Sequence, residues 1–240
     1  MPGPEASPSP QDPPAGQEQG YDSLVQQVIP GYASLARLGV ALLAASPLAS
    51  RQGADVLVAG CGTGAELLEA RAQRPDWRLT ALDPSPGMLA VARSRLTDAP
   101  GIDWRCARLE EIGAQACFDG ALAVLVLQAL PDDGSKLTFL SALAGALRPG
   151  AQVVLVDLMR PERSPLEGQL ARAREGFQRA SGFAPGGAGP GGERVDGLTR
   201  GLHPIGLARL TALLEAAGFG DPAPVFQALD FEGFLLQRRA

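Results

Sequence analysis

The stretch Val56-Leu57-Val58-Ala59-Gly60-Cys61-Gly62-Thr63-Gly64-Ala65-Glu66-Leu67 decides the fold. It starts within a short apolar run, Asp55 to Ala59, which reads as a buried parallel strand ended by glycine. Glycines at 60, 62 and 64 then lead into a helical pattern. Glycine suits a sharp turn and lets backbone approach a ligand with no Cβ in the way. The same run also reads as a plain strand-to-helix turn, so the rest of the chain has to be weighed with it.

Upstream, Tyr21, Leu24, Val25, Val28 and Ile29 make one helical face, interrupted by Pro30-Gly31. A second helix is predicted from about Ser34 to Ala45. Downstream, Trp77 to Leu82 is a strand ending at Asp83, after which Ser85 caps a helix with Pro86 at its first position. Met88, Leu89, Ala92 and Leu96 supply that helix's buried face. Ala121 to Leu127 reads as a buried strand, and Leu137 to Leu147 as a helix stopped by Pro149-Gly150. Ala151 to Asp157 is another buried strand. Pro204 is expected to open a helix closed by Gly218, and PVFQALDFEGFLLQRR to form an edge hairpin. The expectation is an α/β fold: a doubly wound, Rossmann-like, mostly parallel seven-stranded sheet with a C-terminal antiparallel hairpin. Such sheets bind ligands beyond the carboxyl ends of their strands.

The 240 residues include 30 Gly and 21 Pro, well above ordinary usage, with a formal charge of −5. The Gly/Pro excess concentrates in residues 1–20, read as a disordered tail, and in 181–202, read as a flexible loop within a single domain spanning 21–240. The acidic balance argues against direct nucleic-acid binding. Three widely spaced cysteines give no disulfide framework, which fits a reducing cytoplasm. No Lys or Arg precedes Arg37, so neither a signal nor a transit peptide is expected, and no apolar run is long enough to span a membrane. No His/Cys cluster suggests a metal.

Asp83 lies 19 residues after Gly64, where a carboxylate can accept both ribose hydroxyls of an adenosine ligand. Ala65 also completes G-x-G-x-x-A, so Asp83 alone does not separate a dinucleotide from another adenosine cofactor. The wider order does. GCGTG, LDPSPGMLAVAR, FDGALAVLVLQAL, LRPGAQVVLVD and the terminal hairpin resemble the class I S-adenosylmethionine (SAM)-dependent methyltransferases. VIPGYASL, EGFQRASGF, ARLTALLEAAGF and FQALDFEGFLL resemble the carboxy-SAM synthase branch and its methyltransferase neighbours.

The resemblance implies SAM, or carboxy-SAM, held by Gly60, Cys61, Gly62, Thr63, Gly64, Asp83, Pro84, Met88, Arg108, Leu109 and Val124. Tyr32 and Gln128 are candidate substrate-pocket groups. Arg179 and Arg194 could grip a small carboxylate, Arg194 by an ungapped match to that branch's carboxylate-binding arginine. Each has a plainer reading: Tyr32 packing after the Pro30-Gly31 break, Gln128 a satisfied buried amide, Arg179 part of a solvated helix face. His203 reads as flanking a helix, and Cys61 as a small side chain filling its turn. Three positions depart from the family pattern: Val58, Arg108 and Val124 stand where an acid, an acid and an Asn are usual. The leading expectation is a SAM-dependent methyltransferase acting on a small molecule, with no direct nucleic acid, no membrane and a possible homodimer. Its catalytic residue is not named. The alternatives are a carboxy-SAM synthase moving a carboxyl group from prephenate to SAM for tRNA wobble-uridine modification, and a non-catalytic SAM-fold module.

Overall fold

Every apolar run predicted as a strand enters one sheet. The computed structural model describes residues 20–97, 101–113, 116–161, 164–183 and 201–240. The expected tail and most of the glycine-rich loop, with Arg194, lie outside them. The described strands are β1 (Asp55–Ala59), β2 (Arg78–Asp83), β3 (Ile102–Cys106), β4 (Phe118–Val124), β5 (Leu147–Leu158), β6 (Ala223–Ala228) and β7 (Phe231–Gln237). Their order in the sheet is β3-β2-β1-β4-β5-β7-β6. The first five are mutually parallel, whereas β7 runs antiparallel to both β5 and β6. The terminal hairpin therefore inserts its second strand beside β5 and leaves β6 at the edge. Chain order reverses between β1 and β4, which opens a crevice at their carboxyl ends.

Helices α1 (Tyr21–Val28), α2 (Tyr32–Ala44), α3 (Ala65–Gln73), α4 (Pro86–Arg95), α5 (Ser135–Ala146), α6 (Glu167–Ala180) and α7 (Leu207–Ala217) complete the described elements. The period-two alternation of β1 divides the core. Val56 and Val58 face a cluster with Val40, Leu43, Leu67 and Leu89 from α2, α3 and α4. Leu57 and Ala59 face Leu140, Leu143, Leu210 and Leu214 from α5 and α7 on the other side. Each such leucine contributes roughly 1.5–3 kcal/mol through burial. Ser85 caps α4 as expected, its hydroxyl accepting the Met88 N–H at 3.3 Å. No single described helix is long and apolar enough to cross a membrane; α1 and α2 reach that length only as a pair bent by 96°.

Three boundaries differ from the sequence reading. The strand predicted to end at Leu127 ends at Val124, because Leu125 takes a left-handed backbone (φ 60) and residues 127–129 form a tight turn. Asp157 holds that turn by accepting the N–H groups of Leu127 and Gln128 at 3.2 and 2.9 Å. Pro149-Gly150 does more than stop α5, since residues 147–150 already belong to β5. Pro204 does not open α7. The backbone there bonds across the molecule instead, His203 N–H to Gln128 O (2.7 Å) and Arg160 N–H to Ile205 O (2.9 Å), and the helix starts at Leu207.

Candidate cofactor site

The glycine loop is fastened to the neighbouring strand before it turns. The N–H groups of Gly60 and Cys61 both donate to Leu82 O, at 2.7 and 2.9 Å. Gly60, Gly62 and Gly64 all adopt positive φ, at 72°, 50° and 88°, a region that strains any residue with a Cβ. Their surroundings differ. A Cβ on Gly60 would lie 2.4 Å from Val126 Cγ2, and one on Gly64 3.1 Å from Ala92 Cβ. A Cβ on Gly62 would meet nothing within 4 Å. The outer glycines thus permit close packing, while the middle one borders open space.

Asp83, 6% exposed at the end of β2, ties this loop to the next one. One carboxylate oxygen accepts the Gly62 N–H at 2.8 Å and the other accepts the Ser85 N–H at 2.9 Å. The acid read from sequence as a ligand group therefore also braces the glycine loop. Both functions suit a carboxylate, which has about four lone-pair sites.

A cleft of about 980 Å³, its solvent-open mouth included, lies over the ends of β1, β2 and β4. Gly60, Cys61, Gly62, Thr63, Asp83, Pro84, Met88, Arg108, Leu109, Val124 and Tyr32 all line it. Gly64 does not; it packs against α4. Gln128 also lies off the lining: its side-chain oxygen accepts the Leu158 N–H at 2.8 Å, so it is the satisfied buried amide that braces β5. Arg179 sits away from the cleft, exposed on α6 beside Glu175 at 3.8 Å.

Several residues of this region carried no site signal in the sequence. Glu66, 6% exposed, lines the cleft from the first turn of α3. Burial pushes its carboxyl up to about 7, with Asp22 adding repulsion and Arg95 opposing it. Burial likewise pushes the Tyr32 phenol well above its ordinary range, with Glu66 the next cause. The Cys61 thiol is raised by burial and then by Asp83 and Glu66, so it stays protonated and fills its turn. Asp22, on α1, accepts from Thr63 Oγ1 at 2.5 Å and from Arg95 Nη1 at 2.6 Å, which fastens the first helix beside the glycine loop. Leu125 lines the cleft in its left-handed conformation, unusual for a branched side chain. Nothing in a single sequence distinguishes Glu66 from an ordinary acid at a helix start. It is buried where α2 packs against α3, with Tyr21 and Tyr32 lining the same cleft.

A second cleft adjoins the first, sharing Arg108, Glu110, Ala129 and Leu130. Asp133 and His203 line it as well. The hydroxyl and backbone N–H of Ser135 hold the Asp133 carboxyl below its ordinary range. His203, read from sequence as a helix flank, is fixed by its backbone N–H to Gln128 and borders this polar space.

Residues 56–150 match the family model described as a methyltransferase domain. A ubiquinone biosynthesis O-methyltransferase of Methylocella silvestris is 32% identical over 181 residues, covering 74% of this chain and 64% of that protein. The chain thus spans somewhat less than two thirds of that relative's length. A carboxy-S-adenosyl-L-methionine synthase of Geobacter metallireducens is 27% identical over 229 residues, covering 91% and 88% of the two chains. Among solved structures, the [4+2]-cyclase SpnF covers 98% of both chains with a TM-score of 0.66 at 14% identity, a likeness of fold. In its sheet order, its glycine loop and the acid ending β2, the chain is similar to SAM-dependent methyltransferases, and residues 56–150 match their domain.

Proposed function

We propose that this protein is a SAM-dependent methyltransferase acting on a small-molecule acceptor. The observation that carries the reading is the joint geometry of Gly62 and Asp83: a glycine loop with open space at its middle residue, locked to a buried carboxylate at the crevice of an open α/β sheet. The lining fits the cofactor. Asp83 suits the ribose hydroxyls, and Met88 and Leu109 offer apolar walls for an adenine ring. When bound, SAM supplies a methyl group on a positively charged sulfur. The chain's own residues would position and shield it: the glycine loop would pack against the cofactor, and Tyr32, Val124 and Leu125 would keep water from it. The adjoining polar cleft, bordered by His203 and Asp133, is where this reading puts the acceptor.

The O-methyltransferase named among the relatives supports an oxygen acceptor. The acidic net charge speaks for a small molecule over nucleic acid, and three free cysteines suit the cytoplasm. The test is mass spectrometry of small molecules released from the purified protein, with titration calorimetry of added SAM. SAM or its demethylated product is expected in the released fraction. Carboxy-SAM there would replace this reading with the synthase, and no SAM binding at millimolar concentration would refute both. Asp83→Ala is expected to weaken SAM binding about tenfold or more, since one lost charge-assisted contact is worth about 1.5–3 kcal/mol.

A further inference from the structure

We infer that Glu66 is the acid that holds the cationic, amino-acid end of the cofactor, taking the place of the carboxylate absent at Val58. The inference rests on the SAM reading above and goes beyond it. In this chain the first strand carries Val58 where the family pattern has an acid, and Val58 is 2% exposed, packed among Val56, Leu79 and Leu89. No carboxylate can reach the ligand from there. Glu66 stands across the glycine loop, 6% exposed, and still lines the cleft.

Position within the cleft selects the ligand group. Asp83 lines it from the end of β2, Met88 from the first turn of α4 and Leu109 from the segment after β3, groups suited to the nucleoside. Glu66 shares the cleft with Tyr21 and Tyr32, contributed by α1 and α2. Among the described residues, the one hydrogen bond recorded for its carboxyl comes from its own backbone N–H. A buried acid bonded only to its own backbone is costly unless it meets a donor or a cation. SAM brings both, as an α-ammonium group and a sulfonium. No bond is made or broken in this step; a proton leaves Glu66 for solvent as the cation arrives.

The groups around Glu66 do not supply that cation. Asp22 on α1 repels its ionised form, and Tyr32 on α2 and Cys61 in the loop are neutral hydroxyl and thiol groups. Among the described residues, Arg95 on α4 is the one positive charge acting on it, and its Nη1 is held by Asp22 at 2.6 Å and by Thr63 O at 3.0 Å. Asp83 is engaged with Gly62 and Ser85. Burial with this surplus of acid raises the Glu66 carboxyl to about 7, so binding of a cation competes with a proton near neutrality.

Calorimetry with two ligands tests the assignment: SAM, and methylthioadenosine, which keeps the nucleoside but lacks the amino-acid end and the charge. For the unsubstituted protein, SAM affinity is expected to rise on the order of 20-fold between pH 5.5 and 7.5, one decade per unit below the carboxyl's own value, while methylthioadenosine affinity stays level. Below pH 7.5 the cofactor's own ammonium remains largely charged, so it does not mask the trend. Glu66→Gln, which mimics the protonated acid, should bind SAM about tenfold or more weakly at pH 7.5, without the pH trend, and bind methylthioadenosine within about twofold of the parent. Retained methylthioadenosine binding shows that the variant is folded. If Glu66→Gln binds SAM as the parent does at every pH, the assignment is wrong and the cofactor reading survives. If the parent binds neither nucleoside, the cofactor reading falls and takes the assignment with it.

Discussion

Gly60 and Gly62 are two residues apart, yet each answers to a different constraint. Both have positive φ, which costs an alanine about 1–2 kcal/mol. Only Gly60 also has a side chain where its Cβ would go, Val126 Cγ2 at 2.4 Å. Gly60→Ala should therefore lower stability clearly more than Gly62→Ala, by denaturant unfolding. Gly62→Ala should stay folded but lose SAM affinity, because the new methyl projects into the open space the ligand needs. Equal unfolding costs for the two variants would contradict this division. At the same scale, the spacing of the glycines and of Asp83 was readable directly. The brace between Asp83 and the Gly62 N–H was not, since it depends on β2 lying in register beside β1.

At the scale of elements, α1 is the piece whose role changed most. Its apolar stripe predicted a helix, and the helix forms at Tyr21–Val28 with Val25 and Val28 buried. Its polar side carries the link to the site: Asp22 bridges Thr63 in the glycine loop and Arg95 on α4, at side-chain exposures of 22% and 35% for the ion pair. A pair this exposed is worth at most about 1 kcal/mol, so its effect is local. Asp22→Ala should leave the melting temperature nearly unchanged while amides of residues 21–28 exchange faster with deuterium and SAM affinity falls. Unaltered exchange in α1 would mean that apolar packing alone holds it. Elements whose partners lie along the chain, such as α4 with its Ser85-Pro86 start, were legible from sequence. The start of α7 was not, because residues 203–205 bond to backbone at 128 and 160, far away in sequence.

Among the described residues, Glu66, Asp157 and Lys136 are buried ionisable side chains whose titration burial shifts. Burial pushes Asp157 up to about 7 and lowers Lys136, whose Nζ donates to Leu127 O at 2.5 Å. Asp157 and Glu66 thus have folded-state values near 7 against unfolded values near 4. Between those limits the folded chain binds more protons than the unfolded one, so stability falls as pH rises from about 4 to 7 and then levels off. The exposed acids Asp132 and Asp133 are held below their ordinary range, so their contribution is lost only below about pH 4, outside this window. From pH 5.5 to 8 each buried acid costs about 2 kcal/mol, which lowers the melting temperature by about 2–4 °C per kcal/mol. Calorimetric melts should therefore give a higher midpoint at pH 5.5 than at pH 8, and Asp157→Asn should remove about half of the difference. A midpoint that rises with pH would contradict the burial of these acids.

The same three scales separate what the chain dictates alone from what its packing decides. The α/β alternation, the glycine loop, the acid ending β2 and the edge hairpin follow from local periodicity, turn chemistry and spacing, all short-range properties written in consecutive residues. Long-range contacts decided the rest. Gln128 was turned into a brace for β5 because the Asp157 carboxylate draws residues 127 and 128 into a turn. Glu66 was buried and raised toward neutrality because α2 packs against α3 and Asp22 of α1 adds repulsion. A side chain's burial, and with it the free energy of its charge, depends on residues dozens of positions away, so no local pattern contains it.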